Sequence, residues 1–117
     1  MAWGTVELEP EVREWLEQLP GGQFGRAAFY VDLLAAQGAQ LKEPYTRQLD
    51  GKLRELRFYL DRNAVRITYW IAPGRRIILL TVFRKTRMRE NREIDRARRA
   101  LARCVAEAHM AEDEEER

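Results

Sequence analysis

The chain has 117 residues, 45% of them apolar, and a formal net charge of +2. This is one domain's worth of chain, with enough apolar side chains for a single core and no need of a covalent staple. A lone cysteine, Cys104, excludes an intramolecular disulfide, and with a lone histidine, His109, it leaves no plausible zinc or iron site.

The first residues mix Trp3, Gly4, Thr5 and Glu7 instead of forming an apolar run, and no stretch is long enough to span a membrane. A cytoplasmic protein without membrane contact is expected. The only dense carboxylate cluster, Glu112 to Glu116, reads as a solvated tail and not as a magnesium site, so neither metal nor cofactor is expected. The predicted organisation is one domain over residues 1–111 and an acidic tail over 112–117. The small net charge hides a segregation. Residues 1–41 hold two basic and six acidic side chains, a net of −4; residues 42–103 hold eighteen and seven, a net of +11; residues 104–117 hold one and six, a net of −5. Such a basic block suits phosphate or an acidic protein surface, or is a solvated arginine-rich face.

Thr5–Leu8 alternates as a short strand with Val6 and Leu8 inward. Pro10 suits the first turn of a helix whose face is Val12, Trp15, Leu16 and Leu19, and Pro20-Gly21-Gly22 ends it. A second helix is predicted from about Gln23 to Gln37, with Ala27, Ala28, Val31, Leu34 and Ala35 as its stripe and Gly38 at its C-terminal cap. The period then changes. Lys52–Leu60 alternates, with Leu56, Phe58 and Leu60 inward and Glu55, Arg57 and Tyr59 outward; Asp61-Arg62-Asn63 is a turn. Val65–Ile71 alternates again, with Arg66, Thr68 and Trp70 outward, and after the Pro73-Gly74 turn Arg76–Phe83 is nearly all apolar. A last helix runs from about Asn91 to Met110 with Ile94, Ala97, Leu101, Cys104, Val105 and Ala108 buried. The predicted fold is α+β: a compact antiparallel sheet of about four strands, an N-terminal αα-hairpin and a C-terminal helix, in the order β-α-α-β-β-β-α.

Several segments, in order and at matching spacing, resemble one family. They are Leu49-Asp50-Gly51-Lys52-Leu53-Arg54-Glu55-Leu56-Arg57, preceded by Pro44 and Arg47; Arg66-Ile67-Thr68-Tyr69; Ile78-Leu79-Leu80 followed by Phe83-Arg84-Lys85; Glu93-Ile94 with Ala97; and Trp15-Leu16. Together they resemble the RelE/HigB toxins of bacterial toxin–antitoxin pairs, in their phage-derived HigB-like branch. The resemblance covers nearly the whole chain. It implies a compact sheet flanked by helices, cleavage of messenger RNA on the ribosome, and a cognate antitoxin of helix-turn-helix type. Thr86 stands where the branch has a second lysine, Asn91 where it has a proline, and the tyrosine that some RelE relatives carry near the start of the last helix is missing.

Strand parity puts Arg57 and Arg66 on one face, and Lys85 reaches the same face through Thr81 and Phe83. Arginine and lysine can stabilise the phosphorane formed when RNA is cleaved without metal. These three are the candidate catalytic residues. Arg54, Tyr59, Trp70, Arg84, Arg87 and Arg89 are candidate RNA contacts, the aromatic rings by stacking and the arginines by phosphate contact. Glu55 reads either as a general base or as the ion-pair partner of Arg57, and Trp70 and Tyr59 either stack on bases or lie under a helix. His109 reads as a surface or capping residue. Arginine and lysine do not titrate near neutrality, so a slow enzyme that relies on substrate alignment is expected. Two other functions remain open: a toxin that binds and inhibits another target such as DNA gyrase, and a remnant that only binds its antitoxin.

Overall fold

The computed structural model describes residues 2–86 and 90–115, with residues 108–115 as backbone only. Its elements are β1 (Thr5–Leu8), α1 (Pro10–Glu17), α2 (Gly21–Gln37), a 3-10 turn (Gly38–Gln40), β2 (Thr46–Asp50), β3 (Leu53–Leu60), β4 (Asn63–Ala72), β5 (Arg76–Arg84) and α3 (Glu90–Glu115). The strands form one five-stranded sheet in the order β1-β5-β4-β3-β2. Among the described residues no helix is long and apolar enough to cross a membrane.

The meander of β3, β4 and β5 is antiparallel, as the tight turns at Asp61-Arg62-Asn63 and Pro73-Gly74 predict. Two features extend that picture. Thr46–Asp50, with a single apolar side chain and little burial, pairs with β3 as an edge strand. The chain crosses from β1 through α1 and α2 to that far edge and then meanders back, so β5 arrives beside β1 running in the same direction, and the sheet is mixed. The second helix starts earlier than its periodicity suggests, because Gly21 and Gly22 form its first turn instead of a linker.

Each face of the sheet has its own apolar layer. Val12 and Leu16 of α1, with Ala27 and Leu34 of α2, pack on Leu56, Phe58, Leu60, Val65, Ile67, Tyr69, Ile77 and Leu79. Trp15 joins this layer only partly buried. On the other face Leu53, Trp70, Ala72, Ile78 and Leu80 lie under Ala97, Ala100 and Cys104 of α3, with Leu101 partly buried. Val105, predicted to be buried, is 44% exposed. Arg96 locks α3 down: it pairs with Glu11 of α1 and Glu93, and donates to the Val82 carbonyl.

A bulge in β5 decides what each face carries. Thr68 pairs with Thr81 but Tyr69 pairs with Leu79, which leaves Leu80 as the extra residue. Before the bulge, the even-numbered residues Ile78 and Leu80 face α3. After it, Thr81 does, its hydroxyl 2.5 Å from that of Thr68, and Phe83 lies opposite Arg66.

Gly38 caps α2 at φ 51°, and an added Cβ would lie 1.9 Å from Trp3 Cε3. Gly38→Ala therefore combines left-handed strain with a clash against a ring that cannot retreat freely. It is expected to lower stability by at least about 1 kcal/mol in urea denaturation; an unchanged midpoint would contradict this packing.

Candidate nucleic-acid interface

The β3–β4 register sets Arg57 directly opposite Arg66, and both side chains lie on the α3 face of the sheet beyond the end of that helix's apolar contact. Like charges opposite one another are unfavourable unless something intervenes. Glu55, two residues before Arg57 on the same face, is that group. Its carboxylate is 2% exposed and sits 3.7 Å from Arg57 Nε and 3.8 Å from Arg66 Nε. These are ion pairs too long to be good hydrogen bonds. Of the two roles open to Glu55, the geometry is that of the ion-pair partner, and of both arginines.

The charges are incompletely compensated. Burial pushes the Glu55 carboxyl above its ordinary range, against the pull of Arg66 and Arg57. Burial, then repulsion from Arg57, pushes the Arg66 guanidinium down. Glu90, in the first turn of α3, bears on both groups. Arg66 donates to the Val65 carbonyl at 3.0 Å, whereas Arg57 Nε is buried with no hydrogen-bond partner among the described residues.

Lys85 joins this face because of the bulge. It follows Phe83 in parity, is exposed, and is held by its backbone N–H, which donates to the Ala64 carbonyl at 2.8 Å. The three candidate catalytic residues thus share one face, but not equally. Strand parity suggests that Arg66 points outward, yet its side chain is only 6% exposed, because Glu55 and the neighbouring strand enclose it. Arg57 is 24% exposed and Lys85 is open to solvent.

The candidate RNA contacts divide. Tyr59 is 57% exposed and lines the same cleft as Arg57 and Arg66. Trp70 is 4% exposed beneath α3, with its indole N–H directed at Cys104 Sγ, so it has no face to offer a base. Arg54 and Arg84 lie on the opposite face. Arg54 braces Thr46 Oγ1 at 3.2 Å, and Arg84 borders a hollow with Trp15 and Leu19. Arg87 and Arg89 lie outside the described residues, as does the His109 side chain. Sequence reasoning missed Tyr30, Pro44 and Tyr45, which complete the cleft. Tyr30 is not among the residues of the predicted stripe of α2, and its stacking on Phe58 of β3 depends on tertiary packing that no local signal encodes. Among the described residues no group of three or more histidine, cysteine or carboxylate side chains could hold a metal ion.

A mixed sheet between an αα-hairpin and a C-terminal helix, with a basic face at the end of that helix, is a RelE-like fold. The solved structures bear this out. The Mycobacterium tuberculosis RelBE2 toxin–antitoxin complex contains a chain 16% identical, at a TM-score of 0.54 over 70% of this chain and 98% of that one. The Pyrococcus horikoshii RelE–RelB complex gives 20% identity and 0.55 over 72% and 97%. A doubly substituted Escherichia coli toxin RelE in the free state gives 12% and 0.58 over 88% and 98%. Residues 14–102 match the family described as phage derived protein Gp49-like (DUF891), and the chain belongs to that family. No curated protein matches the sequence.

The raised Glu55 pKa fixes the sign of a pH effect. The folded state prefers the protonated carboxyl, so this preference is full below the ordinary value of 4.5 and is lost as pH rises through the higher folded value. Wild type should lose stability relative to Glu55→Gln over that interval. Parallel urea midpoints for the two proteins across it would contradict the incomplete compensation.

Proposed function

We propose that this protein is the toxin of a toxin–antitoxin pair and acts as a metal-independent endoribonuclease on messenger RNA, with the ribosome aligning the substrate. The observation that carries the reading is the incompletely compensated pair Arg57 and Arg66, which share the single Glu55 carboxylate at 3.7 and 3.8 Å on the face that Lys85 reaches. In such a cleavage the 2′-oxygen attacks phosphorus and the 5′-oxygen leaves. Arg57, Arg66 and Lys85 stabilise the charge on the phosphorane oxygens, while Glu55 positions the Arg57 and Arg66 guanidinium groups. Paired as it is, Glu55 serves position more than proton transfer, so proton movement falls to solvent or the ribosome, and the chemistry relies on alignment.

The cytosolic partner in this reading is a cognate antitoxin. The neighbours from Mycobacterium tuberculosis and Pyrococcus horikoshii are complexes with antitoxins, and the +11 block over residues 42–103 favours a partner that presents acidic side chains.

Induction of Arg57→Ala and Lys85→Ala variants, with mapping of transcript ends, tests the assignment. Each is expected to lose about 10²–10³ in cleavage rate, the usual cost of removing a donor from a charged transition state, and Arg99→Ala on exposed α3 is expected to lose little. Equal losses at Arg99 would mean general attraction and not a site. Full toxicity without new transcript ends would favour a binding poison. Arg57→Ala and Arg66→Ala each strip the buried Glu55 carboxylate of a partner, so a loss of cleavage counts only where circular dichroism shows the variant folded; Arg66→Ala, at the more buried position, is expected to cost the more, about 3–5 kcal/mol of stability.

Chelator should leave cleavage intact; loss restored by magnesium would sink the cationic mechanism. Antitoxin affinity should fall as salt rises, and an affinity indifferent to salt would point to an apolar interface.

A further inference from the structure

The edge of β3 opens where β2 stops. The β2 ladder begins at Thr46 opposite Leu56 and Tyr45 extends the pairing by one bond to Arg57 N, so from Phe58 onward that edge has no strand beside it. A cleft of about 320 Å³ occupies the opening, lined by Tyr30, Pro44, Tyr45, Phe58 and Tyr59 together with Arg57 and Arg66. Tyr30 and Phe58 stack with centroids 5.0 Å apart and planes within 8°, and the Arg26 guanidinium lies 5.6 Å from the Tyr30 centroid. Their faces are therefore largely used. Tyr45 meets Tyr30 with centroids 6.4 Å apart and planes tilted by 38°, yet it and Tyr59 remain 41% and 57% exposed.

These walls are fixed in place. Arg57 N donates to the Tyr45 carbonyl at 2.8 Å, and Tyr45 N to the Lys42 carbonyl at 3.1 Å. Arg26 Nε donates to the Tyr59 carbonyl at 2.7 Å, and Gln23 to Asp61 at 2.7 Å, which pins α2 to the end of β3. Exposed rings held by their backbones, next to the part-exposed Arg57 side chain, suit a ligand with a flat apolar ring attached to an anion.

We propose that this cleft is a nucleobase subsite, in which Tyr45 and Tyr59 bind one unstacked base of single-stranded RNA adjoining the phosphate held by Arg57. The assignment rests on the reading of the cations as an RNA site and adds the side chains that hold the neighbouring base. Volume sets the substrate form: the cleft is at the small end of ligand sites, with room for one nucleoside and none for a duplex. Stacking on tyrosine is tolerant of sequence, because each base has a π-face, so the subsite contributes affinity and alignment more than base identity.

The test uses the full-length protein and a short, labelled, single-stranded RNA with 2′-O-methyl sugars, which binds but cannot be cleaved. Dissociation constants are measured for wild type, Tyr45→Ala, Tyr59→Ala, Tyr45→Phe and Arg57→Ala, with circular dichroism to confirm folding. They are measured again with an abasic residue at each RNA position in turn. Each tyrosine-to-alanine change should weaken binding about 10-fold, as expected for a lost stack, while Tyr45→Phe keeps wild-type affinity because the ring and not the hydroxyl is used. One abasic position should weaken wild type by a similar factor and add nothing to Tyr45→Ala. Tyrosine variants that bind RNA as wild type does, while Arg57→Ala does not, overturn the base subsite alone and leave the phosphate site standing. Tyrosine variants that keep RNA affinity but lose antitoxin affinity assign the cleft to a protein partner instead. Wild type that fails to bind RNA overturns the base subsite, and wild type whose induction also creates no new transcript ends overturns both readings.

Discussion

The pairing of Arg57 with Arg66 across β3 and β4 is the constraint around which the functional face is arranged. Two guanidinium groups at one rung of a ladder would repel, and only a counter-charge within reach of both makes the register tolerable. Glu55 provides it, at the cost of burying a carboxylate. Because the ion pairs are 3.7 and 3.8 Å long, the desolvation of the three groups is only partly offset. The register itself comes from elsewhere: Leu56 opposite Ile67 and Phe58 opposite Val65 bury their side chains in the αα-hairpin layer, and a slip of one residue would turn both sets outward. Apolar burial on one face thus holds an electrostatically unfavourable arrangement on the other.

The bulge at Leu80 does comparable work at the third strand. The apolar stretch of β5 has to serve two layers, with Ile77 and Leu79 against the αα-hairpin and Ile78 and Leu80 under α3. An unbroken alternation would then send Lys85 to the hairpin side. The extra residue shifts the parity, so Arg84 turns toward Trp15 and Leu19 while Lys85 follows Phe83 to the side of Arg66. One irregularity in pairing satisfies both the packing of α3 and the gathering of cations.

Period-two alternation made β3 and β4 legible in the sequence, and helical spacing made α1 and α2 legible, because each has one buried face. The edge strand β2 was not legible: an edge with one apolar residue in five has the composition of a loop, and only its pairing with β3 makes it a strand. The candidate site was legible in membership and not in depth. Parity identifies Arg57, Arg66 and Lys85 as neighbours on one face. It cannot tell that Trp70, of the same parity, lies beneath α3, since burial of that face depends on where a helix far along the chain comes to rest. The same limit explains Arg66, which is outward by parity and enclosed in fact.

The incomplete compensation has a thermodynamic consequence that joins fold to function. Arg57 and Arg66 against Glu55 leave an excess positive charge in a partly buried setting, and Lys85 adds to it. A ligand that brings negative charge to the part-exposed Arg57 side chain offsets that excess and counters the lowering of the Arg66 pKa, which comes from burial first and from Arg57 second. Such a ligand binds the native state and not the unfolded one, so it stabilises the fold in proportion to its affinity. Phosphate oxygens and acidic side chains meet this requirement equally. Under the proposed function, an RNA phosphate and an acidic antitoxin would compete for this one excess of positive charge. Under that same proposal, a bound antitoxin would both block the RNA site and stabilise the fold, because one charge excess underlies both effects.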